Sequence, residues 1–222
     1  MPVITELFLV RHGEAVVNLE PSLDGICLGL TERGRGQAAL LRERLAAEEA
    51  AGRSFGAAYH SPRARSAQTA AIVQPGIGVP IVVCEDLRSL DHGEPGVDIW
   101  NFAANALGTI PPLAPDSVPN PGAEAWRQYL DRSGRALMAI AEKHAGQRVL
   151  IIAHAETSES AMVAFMRLPA GSSRWTYPLV NHTAVGIWRH LRSDLPGADP
   201  AGQWALRVHN NDGHLPAEDR TW

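Results

Sequence analysis

Three groups of cationic and imidazole side chains have the types and spacing needed to bind and transfer a phosphoryl group. They are Arg11 with His12, Arg63 with Arg65, and His154. Arginine offers planar, paired hydrogen bonds to phosphate oxygens, and a neutral imidazole can attack phosphorus and carry the phosphoryl group covalently. No carboxylate-rich metal shell accompanies these residues in the sequence, so their chemistry favours metal-free phosphoryl transfer.

Each group follows a stretch that is predicted to be a β-strand. These stretches are Ile4–Val10, Phe55–Tyr59 and Val149–Ala153. In a parallel sheet the carboxyl ends of the strands share one edge, where open α/β proteins bind their ligands. Gly13 is expected to let the backbone approach a bound group without a side chain in the way. Taken alone, the first strand end would equally suit a turn whose polar residues face water.

The connections between these strands predict helices. Thr31 is the expected N-cap of a helix rich in Ala, Leu, Glu and Arg, and Ser61 is the expected N-cap of a helix over Arg63–Val73. A third strand, Ile81–Cys84, is expected to be short and buried. Strands that alternate with helices in this way indicate an α/β fold with a mostly parallel sheet.

The second half of the chain continues the same alternation. Gly122–His144 and Glu156–Arg167 predict helices, and Thr183–Arg189 with Trp204–Val208 predict two closing strands. From Asn210 onward the sequence is polar, and we expect this part to be frayed.

The segment from about Asp91 to Pro121 differs in character, because prolines and glycines interrupt any long element. A long segment of this kind inside a compact domain is usually a lid or a binding loop. Its aromatic residues, Trp100 and Phe102, favour a cap over the site and an organic substrate, rather than a solvent-exposed excursion without function. We therefore expect residues 1–222 to form a single domain with a lid at about 91–121.

Composition argues against several other functions. The formal net charge of −4 gives no global basic field for nucleic acid or an anionic membrane. No stretch approaches the apolar length of a membrane span, and the first residues lack the basic start of a secretory signal, so we expect a cytoplasmic protein. Cys27 and Cys84 offer neither a disulfide framework nor metal-type spacing. No metal or cofactor is expected, and the oligomeric state stays open, a homodimer included.

These residues resemble the histidine phosphatase superfamily, also called phosphoglycerate mutase-like. Four stretches carry the resemblance. The opening motif of the family is matched by Arg11-His12-Gly13-Glu14, and its first helix is matched by Leu30-Thr31-Glu32-Arg33-Gly34 with Gln37-Ala38. Its second arginine motif is matched by Ser61-Pro62 through Arg65 with Gln68-Thr69-Ala70, and the strand that bears its second histidine is matched by Val149–His154. The stretches occur in the family's order. The resemblance implies a three-layer α/β/α sandwich with a mostly parallel central sheet.

The resemblance also implies a role for each matched residue. His12 would be the nucleophile that becomes phosphohistidine. Arg11, Arg65 and His154 would hold the phosphoryl oxygens and stabilise charge in the transition state. Asn18 falls at the spacing where the family often has an asparagine that contacts the phosphate.

The sequence departs from the family pattern at residues near the expected leaving group. Family members commonly carry a general-acid glutamate at the position of Ser89, which cannot protonate a leaving alkoxide. Asp91 and Glu94 lie close by and are candidate substitutes, and Asp91 is also a candidate substrate contact. Arg63 stands where the family usually has an apolar residue, so we expect at most a supporting role for it.

The second histidine is usually followed by glycine and a small or amide residue, whereas here the run is His154-Ala155-Glu156. A carboxylate beside a phosphate dianion is repelled and tends to hold its proton, which suits a leaving-group acid. Glu156 is therefore the first candidate for the acid and Asp91 the second. The alternative is that Glu156 stabilises the start of the following helix, where an anion is favoured.

We expect metal-independent hydrolysis of a small-molecule phosphomonoester through a phosphohistidine on His12. One alternative is a phosphoglycerate-mutase-like phosphotransferase that uses the same intermediate, although the mutase-type acid is missing. A second alternative is a repurposed scaffold that binds or transforms a non-phosphorylated ligand. The missing acid and Glu156 favour this second alternative, whereas the complete set of cationic and imidazole residues argues against it.

Overall fold

A six-stranded β-sheet forms the centre of the protein. The computed structural model describes residues 3–19, 28–93, 115–118, 121–170, 178–192, 196–197, 199 and 201–222. The strands of the sheet are β1 (Val3–Arg11), β2 (Ala57–His60), β3 (Ile81–Val83), β4 (Arg148–Ala153), β5 (Val185–Arg192) and β6 (Gln203–Asn211). Their spatial order is β3-β2-β4-β1-β5-β6. The strands β1 to β4 run parallel, β5 is antiparallel to β1, and β6 is antiparallel to β5.

Helices cover both faces of the sheet. They are α1 (Val16–Leu19), α2 (Glu32–Ala50), α3 (Ala64–Val73), α4 (Trp126–Lys143) and α5 (Ala155–Phe165). The apolar residues of α2 and α3 pack on one face, and those of α4 and α5 pack on the other. This three-layer arrangement confirms the predicted α/β/α sandwich with a mostly parallel sheet.

The strand β1 lies inside the sheet and is buried on both faces. Leu7 and Leu9 pack under α4 and α5, whereas Phe8 and Val10 pack under α2 and α3. All four side chains are at most 3% exposed. Successive residues of a strand point to opposite faces, so a strand covered on both sides needs a continuous apolar run.

Two local predictions met different outcomes. The Thr31 hydroxyl accepts a hydrogen bond from the Gly34 amide at 3.0 Å, which confirms the predicted N-cap of α2. The predicted burial of the third strand is wrong, because Val82 and Val83 are 46% and 53% exposed. The reason is that β3 is the edge strand of the sheet.

The expectation that the chain frays from Asn210 onward is also wrong. Asn210 still belongs to β6, and the Leu215 side chain is only 3% exposed. The Gln37 side-chain amide donates to the Asp219 carbonyl at 2.7 Å, and the Thr221 carbonyl accepts from the His182 amide at 2.8 Å. The polar residues of this part therefore satisfy buried groups of the core instead of facing only water.

The predicted lid lies mostly outside the described residues, since these omit 94–114 and 119–120. The residues that flank the segment do meet, because the Glu124 amide donates to the Asp91 carbonyl at 2.8 Å. Among the helices that the structure describes, none is long and apolar enough to cross a membrane.

Candidate active site

Four of the predicted residues lie together at the carboxyl edge of the parallel strands. Arg11 is the last residue of β1 and His12 follows it, His154 follows β4, and Arg65 lies in the first turn of α3. The pairing of Arg11 with Ala153 places the ends of β1 and β4 at the same level. The two imidazole rings are 5.3 Å apart between centroids, and the four side chains belong to residues that are 2–8% exposed.

The hydrogen bonds of His12 define which of its nitrogens carries the proton. Nδ1 donates to the Gly13 carbonyl at 2.7 Å, so Nε2 carries the lone pair and accepts from Arg65 Nε at 3.1 Å. Burial lowers the pKa of His12 well below its ordinary value, and the charges of Arg65 and Arg11 lower it further. The ring is therefore neutral, as a nucleophilic imidazole must be.

His154 is held by a residue whose expected role was different. Its Nε2 lies 2.7 Å from the Ser61 hydroxyl, which also accepts from the Arg63 amide at 3.3 Å. The predicted N-cap role of Ser61 is wrong, because Arg63 occupies that position without a side-chain cap. The other ring nitrogen, Nδ1, is buried and has no hydrogen-bond partner in the described part of the chain, so it remains available to a ligand.

The loop after β1 is fixed by backbone contacts to two helices. The Gly13 amide donates to the Thr69 hydroxyl at 3.1 Å. A side chain at Gly13 would collide with the Gly34 carbonyl of α2. The glycine therefore admits a neighbouring helix, whereas the sequence led us to expect the close approach of a bound group. Arg11 is anchored separately, since its Nη1 donates to the Val180 carbonyl at 2.6 Å.

A third histidine, His182, lies in the same cluster and was missed by the sequence analysis. It is 1% exposed, and its ring centroid is 5.8 Å from that of His12. Burial lowers its pKa to about 2, and the charge of Arg11 adds to the effect. His182 precedes an antiparallel strand, β5, which starts at the edge where β1 ends. That position could have been recognised only from the order of strands in the sheet.

The contacts of His182 orient the side chain of Asn18. The Asn18 oxygen Oδ1 accepts from the Ala15 amide at 2.9 Å and lies 3.2 Å from His182 Nε2. An amide oxygen can only accept, so Nε2 carries the proton, and Nδ1 accepts from the Thr221 hydroxyl at 2.8 Å. With Oδ1 occupied, the Asn18 Nδ2 group presents the two donors that an anion requires.

The structure shows the contacts of two of the residues near the expected leaving group, Ser89 and Asp91. Ser89 is 2% exposed, and its hydroxyl accepts from Arg63 Nε at 3.1 Å. The Asp91 carboxylate accepts from the Gly93 amide at 3.1 Å. Glu94 lies outside the described residues.

Glu156 lies in the first turn of α5, where its charge suits the helix start, and it is half-buried. It makes no hydrogen bond or ion pair with another residue that the structure describes. Its charge adds to burial in raising the pKa of the Tyr129 hydroxyl. Within the described part of the chain, the Glu156 carboxyl therefore accepts no hydrogen bond, in contrast to that of Asp91.

Within the described ranges, no group of three or more His, Cys, Asp or Glu side chains could hold a metal ion. Cys84 is a free thiol, and Cys27 lies outside those ranges.

Comparisons with known proteins place this arrangement in a family. The model of the histidine phosphatase superfamily (branch 1) matches residues 7–194. Phosphoglycerate mutase-like protein 4 of Arabidopsis thaliana is 26% identical over 221 residues, which cover 95% of this chain and 86% of that protein. The metal-independent phosphoserine phosphatase of Arabidopsis thaliana is 34% identical over 157 residues, which cover 68% of this chain and 64% of that protein.

Solved structures agree with this placement. YhfR from Bacillus stearothermophilus is 28% identical with a TM-score of 0.70, and the match covers 95% of this chain and 98% of that chain. A phosphoserine phosphatase mutant from Entamoeba histolytica, in complex with phosphoserine, is 15% identical with a TM-score of 0.67. The match covers 96% of this chain and 100% of that chain, and it shows that the two proteins share a fold. The chain belongs to the histidine phosphatase superfamily and has a phosphoglycerate mutase-like fold.

Proposed function

We propose that this protein hydrolyses a small-molecule phosphomonoester through a phosphohistidine on His12, without a metal ion. The observation that carries the proposal is the state of that side chain. His12 is neutral, its Nδ1 is occupied by the Gly13 carbonyl, and its Nε2 faces the guanidinium group of Arg65. A lone pair beside a fixed cation suits attack on a phosphoryl group whose oxygens that cation binds.

In the first step, His12 Nε2 forms a bond to phosphorus while the bond from phosphorus to the ester oxygen breaks. The electron pair of that bond stays on the ester oxygen, which takes a proton from a carboxylic acid. We assign this acid to Glu156, because its carboxyl is not engaged by other described residues, with Asp91 as the second candidate. Arg11, Arg65 and His154 hold the phosphoryl oxygens.

In the second step, water attacks the phosphohistidine. The bond from phosphorus to His12 Nε2 breaks, its electron pair returns to the ring nitrogen, and the proton of the water passes to the Glu156 carboxylate. Phosphate is released, and both side chains return to their starting states. Asn18 adds the Nδ2 donors that its contact with His182 leaves available.

The alternative with specific support is a phosphotransferase of the mutase type, since one relative is named phosphoglycerate mutase-like protein 4. A transferase would return the phosphoryl group to an alcohol, whereas a phosphatase passes it to water. Ser89 at the acid position favours the phosphatase. Measuring released phosphate against phosphoryl transfer to an added alcohol distinguishes the two reactions.

The test is hydrolysis of p-nitrophenyl phosphate with excess EDTA, together with trapping of the phosphoenzyme by rapid quench at alkaline pH. We expect turnover that is insensitive to EDTA and a phosphohistidine, both abolished by His12→Ala. His209→Ala is the matched control, because His209 lies on β6 with an exposed side chain. Absence of turnover in folded wild-type protein would favour the repurposed scaffold.

A further inference from the structure

Arg63 and Ser89, two residues that depart from the family pattern, contact each other. Arg63 Nε donates to the Ser89 hydroxyl at 3.1 Å. Ser89 is 2% exposed, so this hydroxyl is a fixed part of the protein interior. At position 89, where the family pattern predicts a general acid, the chain therefore has a hydroxyl that binds and orients the Arg63 guanidinium group.

The charge of Arg63 is not neutralised by a described residue. No carboxylate in the described ranges lies within ion-pair distance, and Nε is the one guanidinium nitrogen with a hydrogen bond to that part of the chain. Arg132 differs, because two hydrogen bonds of 2.9 and 2.6 Å pair it with Glu124. A half-buried guanidinium group whose terminal nitrogens have no such partner is suited to binding a carboxylate or phosphate of a ligand.

Arg63 is linked to His154 through a shared hydrogen-bonding partner. Its backbone amide and His154 Nε2 share the Ser61 hydroxyl, at 3.3 and 2.7 Å. The charge of Arg63 also contributes to lowering the pKa of His154, after burial and Arg65. The charges with the largest effects on His12 come from other residues. In an in-line displacement the leaving group lies opposite the nucleophile, so a cation that acts on His154 but is not among the charges that act on His12 is suited to contact the organic part of the substrate.

We propose that Arg63, oriented by Ser89, binds a second anionic group on the alcohol part of the substrate. This inference rests on the proposed function and narrows it: the substrate is a phosphomonoester whose alcohol carries a carboxylate or a second phosphate. A neutral alcohol would leave the half-buried guanidinium group without a counter-ion from the substrate or from the described residues, and a cationic alcohol would be repelled.

The test compares kcat/KM for short alkyl phosphomonoesters that differ in terminal charge. The two-carbon set is phosphoglycolate, ethylene glycol bisphosphate, ethyl phosphate and phosphoethanolamine, and the three-carbon set has the same end groups. We expect the wild type to prefer an anionic ester. Arg63→Gln should reduce the ratio of anionic to neutral kcat/KM by roughly 10- to 100-fold, the range for a hydrogen bond to a charged group. The better of the two anionic esters identifies the carboxylate or the phosphate.

Three further variants make the result specific. Arg63→Lys should retain the preferred order of esters, and Ser89→Ala should reduce the same ratio by less than Arg63→Gln. Arg135→Gln, on the exposed face of α4, should leave the ratio unchanged. Equal loss on anionic and neutral esters would mean that Arg63 binds the transferred phosphoryl group, and the inference would be wrong. A wild type that does not discriminate among the esters would also overturn it, whereas failure of the proposed function appears separately, as absence of phosphohistidine.

Discussion

At the scale of single residues, the proposed mechanism assigns binding of the phosphoryl oxygens and supply of a proton to different groups. Arg11 and Arg65 carry permanent charge and cannot donate a proton at neutral pH. His12 and His154 are kept neutral by burial and by these cations. In the proposed mechanism, the proton for an alkoxide leaving group therefore comes from a carboxyl outside this cluster.

The first prediction concerns Glu156. Glu156→Gln should lower kcat/KM for an alkyl phosphate by roughly 10²–10⁴-fold, the usual contribution of general acid catalysis. The same variant should hardly affect p-nitrophenyl phosphate, because nitrophenolate leaves without protonation. Steady-state kinetics with both esters measures the difference, and Asp91→Asn tests the second candidate in parallel. Unchanged turnover of the alkyl phosphate by Glu156→Gln would remove Glu156 from the mechanism.

The second prediction concerns His182. His182→Phe removes one of the two donors that hold the Asn18 oxygen and leaves the Ala15 amide as the other, so the orientation of the Asn18 amide toward an anion is weakened. We expect a fall in kcat/KM of roughly 10-fold, the value of one hydrogen bond near a charge, mainly through KM. The double variant with Asn18→Ala should lose no more than Asn18→Ala alone. Additive losses would show that the histidine acts independently of the asparagine.

The residues that could be predicted from the sequence share one property. Arg11, His12 and His154 directly follow apolar strands, and Arg65 follows another strand closely, so parallel topology was enough to bring them together. His182 precedes the antiparallel strand β5, and its place depends on β5 pairing with β1, which no local pattern reveals. Its value to the site comes from hydrogen bonds between distant parts of the chain.

At the scale of elements, α2 and the loop after β1 approach each other at two glycines. A side chain at Gly34 would overlap the Glu14 backbone, including its carbonyl, and one at Gly13 would overlap the Gly34 carbonyl. These obstacles are backbone atoms, which cannot move aside as the end of a flexible side chain can. The same loop fixes the carbonyl that binds His12 Nδ1, so packing here also positions the nucleophile.

The third prediction uses two glycines of the same helix. Gly34→Ala should lower the free energy of unfolding by ~1–3 kcal/mol, as overpacking does, and should also reduce kcat. Gly36→Ala is the matched control, because a side chain there meets no atom within 4 Å. That exposed helical position should gain roughly 0.5–1 kcal/mol instead. Urea denaturation compares the variants, and a Gly34→Ala protein as stable as the wild type would contradict the close approach.

The surroundings of the helices and strands were predicted less well than their presence in the chain. The sequence pattern identifies the apolar run of β3 but not its place at the edge of the sheet, where Val82 and Val83 are exposed. Ser61 has the sequence position of an N-cap, yet its hydroxyl binds His154. The exposure of β3 and the partner of the Ser61 hydroxyl both depend on contacts between distant parts of the chain, which local sequence propensity does not determine.

At the scale of the whole molecule, three buried histidines make stability depend on pH. Burial holds the folded-state pKa values of His12, His154 and His182 below 6.5, so the unfolded chain binds more protons as pH falls through that value. The stabilisation is therefore complete above about pH 6.5 and is lost progressively below it.

The fourth prediction follows from this linkage. Between pH 6.5 and pH 4 the free energy of unfolding should fall with a slope of at most ~1.4 kcal/mol per pH unit for each of these histidines. His182→Phe should remove the contribution of one histidine from this slope, because the folded-state pKa of His182 is about 2 and the ring stays neutral over this pH range. The exposed His209 provides the control, and His209→Phe should keep the wild-type slope. Chemical denaturation at several pH values gives the slope, and a pH-independent stability would contradict the burial of the three rings as neutral species.

The position of β1 in the sheet has a consequence for how the protein folds. Its hydrogen-bonded neighbours are β4 and β5, and both come from residues 148–192. A strand whose partners are so distant along the chain pairs late, because the entropy of closing the intervening loop must first be overcome. During synthesis this apolar segment leaves the ribosome long before its partners, so it needs protection from aggregation. In refolding, recovery of activity should accordingly lag behind recovery of helical circular dichroism, since His12, the proposed nucleophile, directly follows this late-pairing strand.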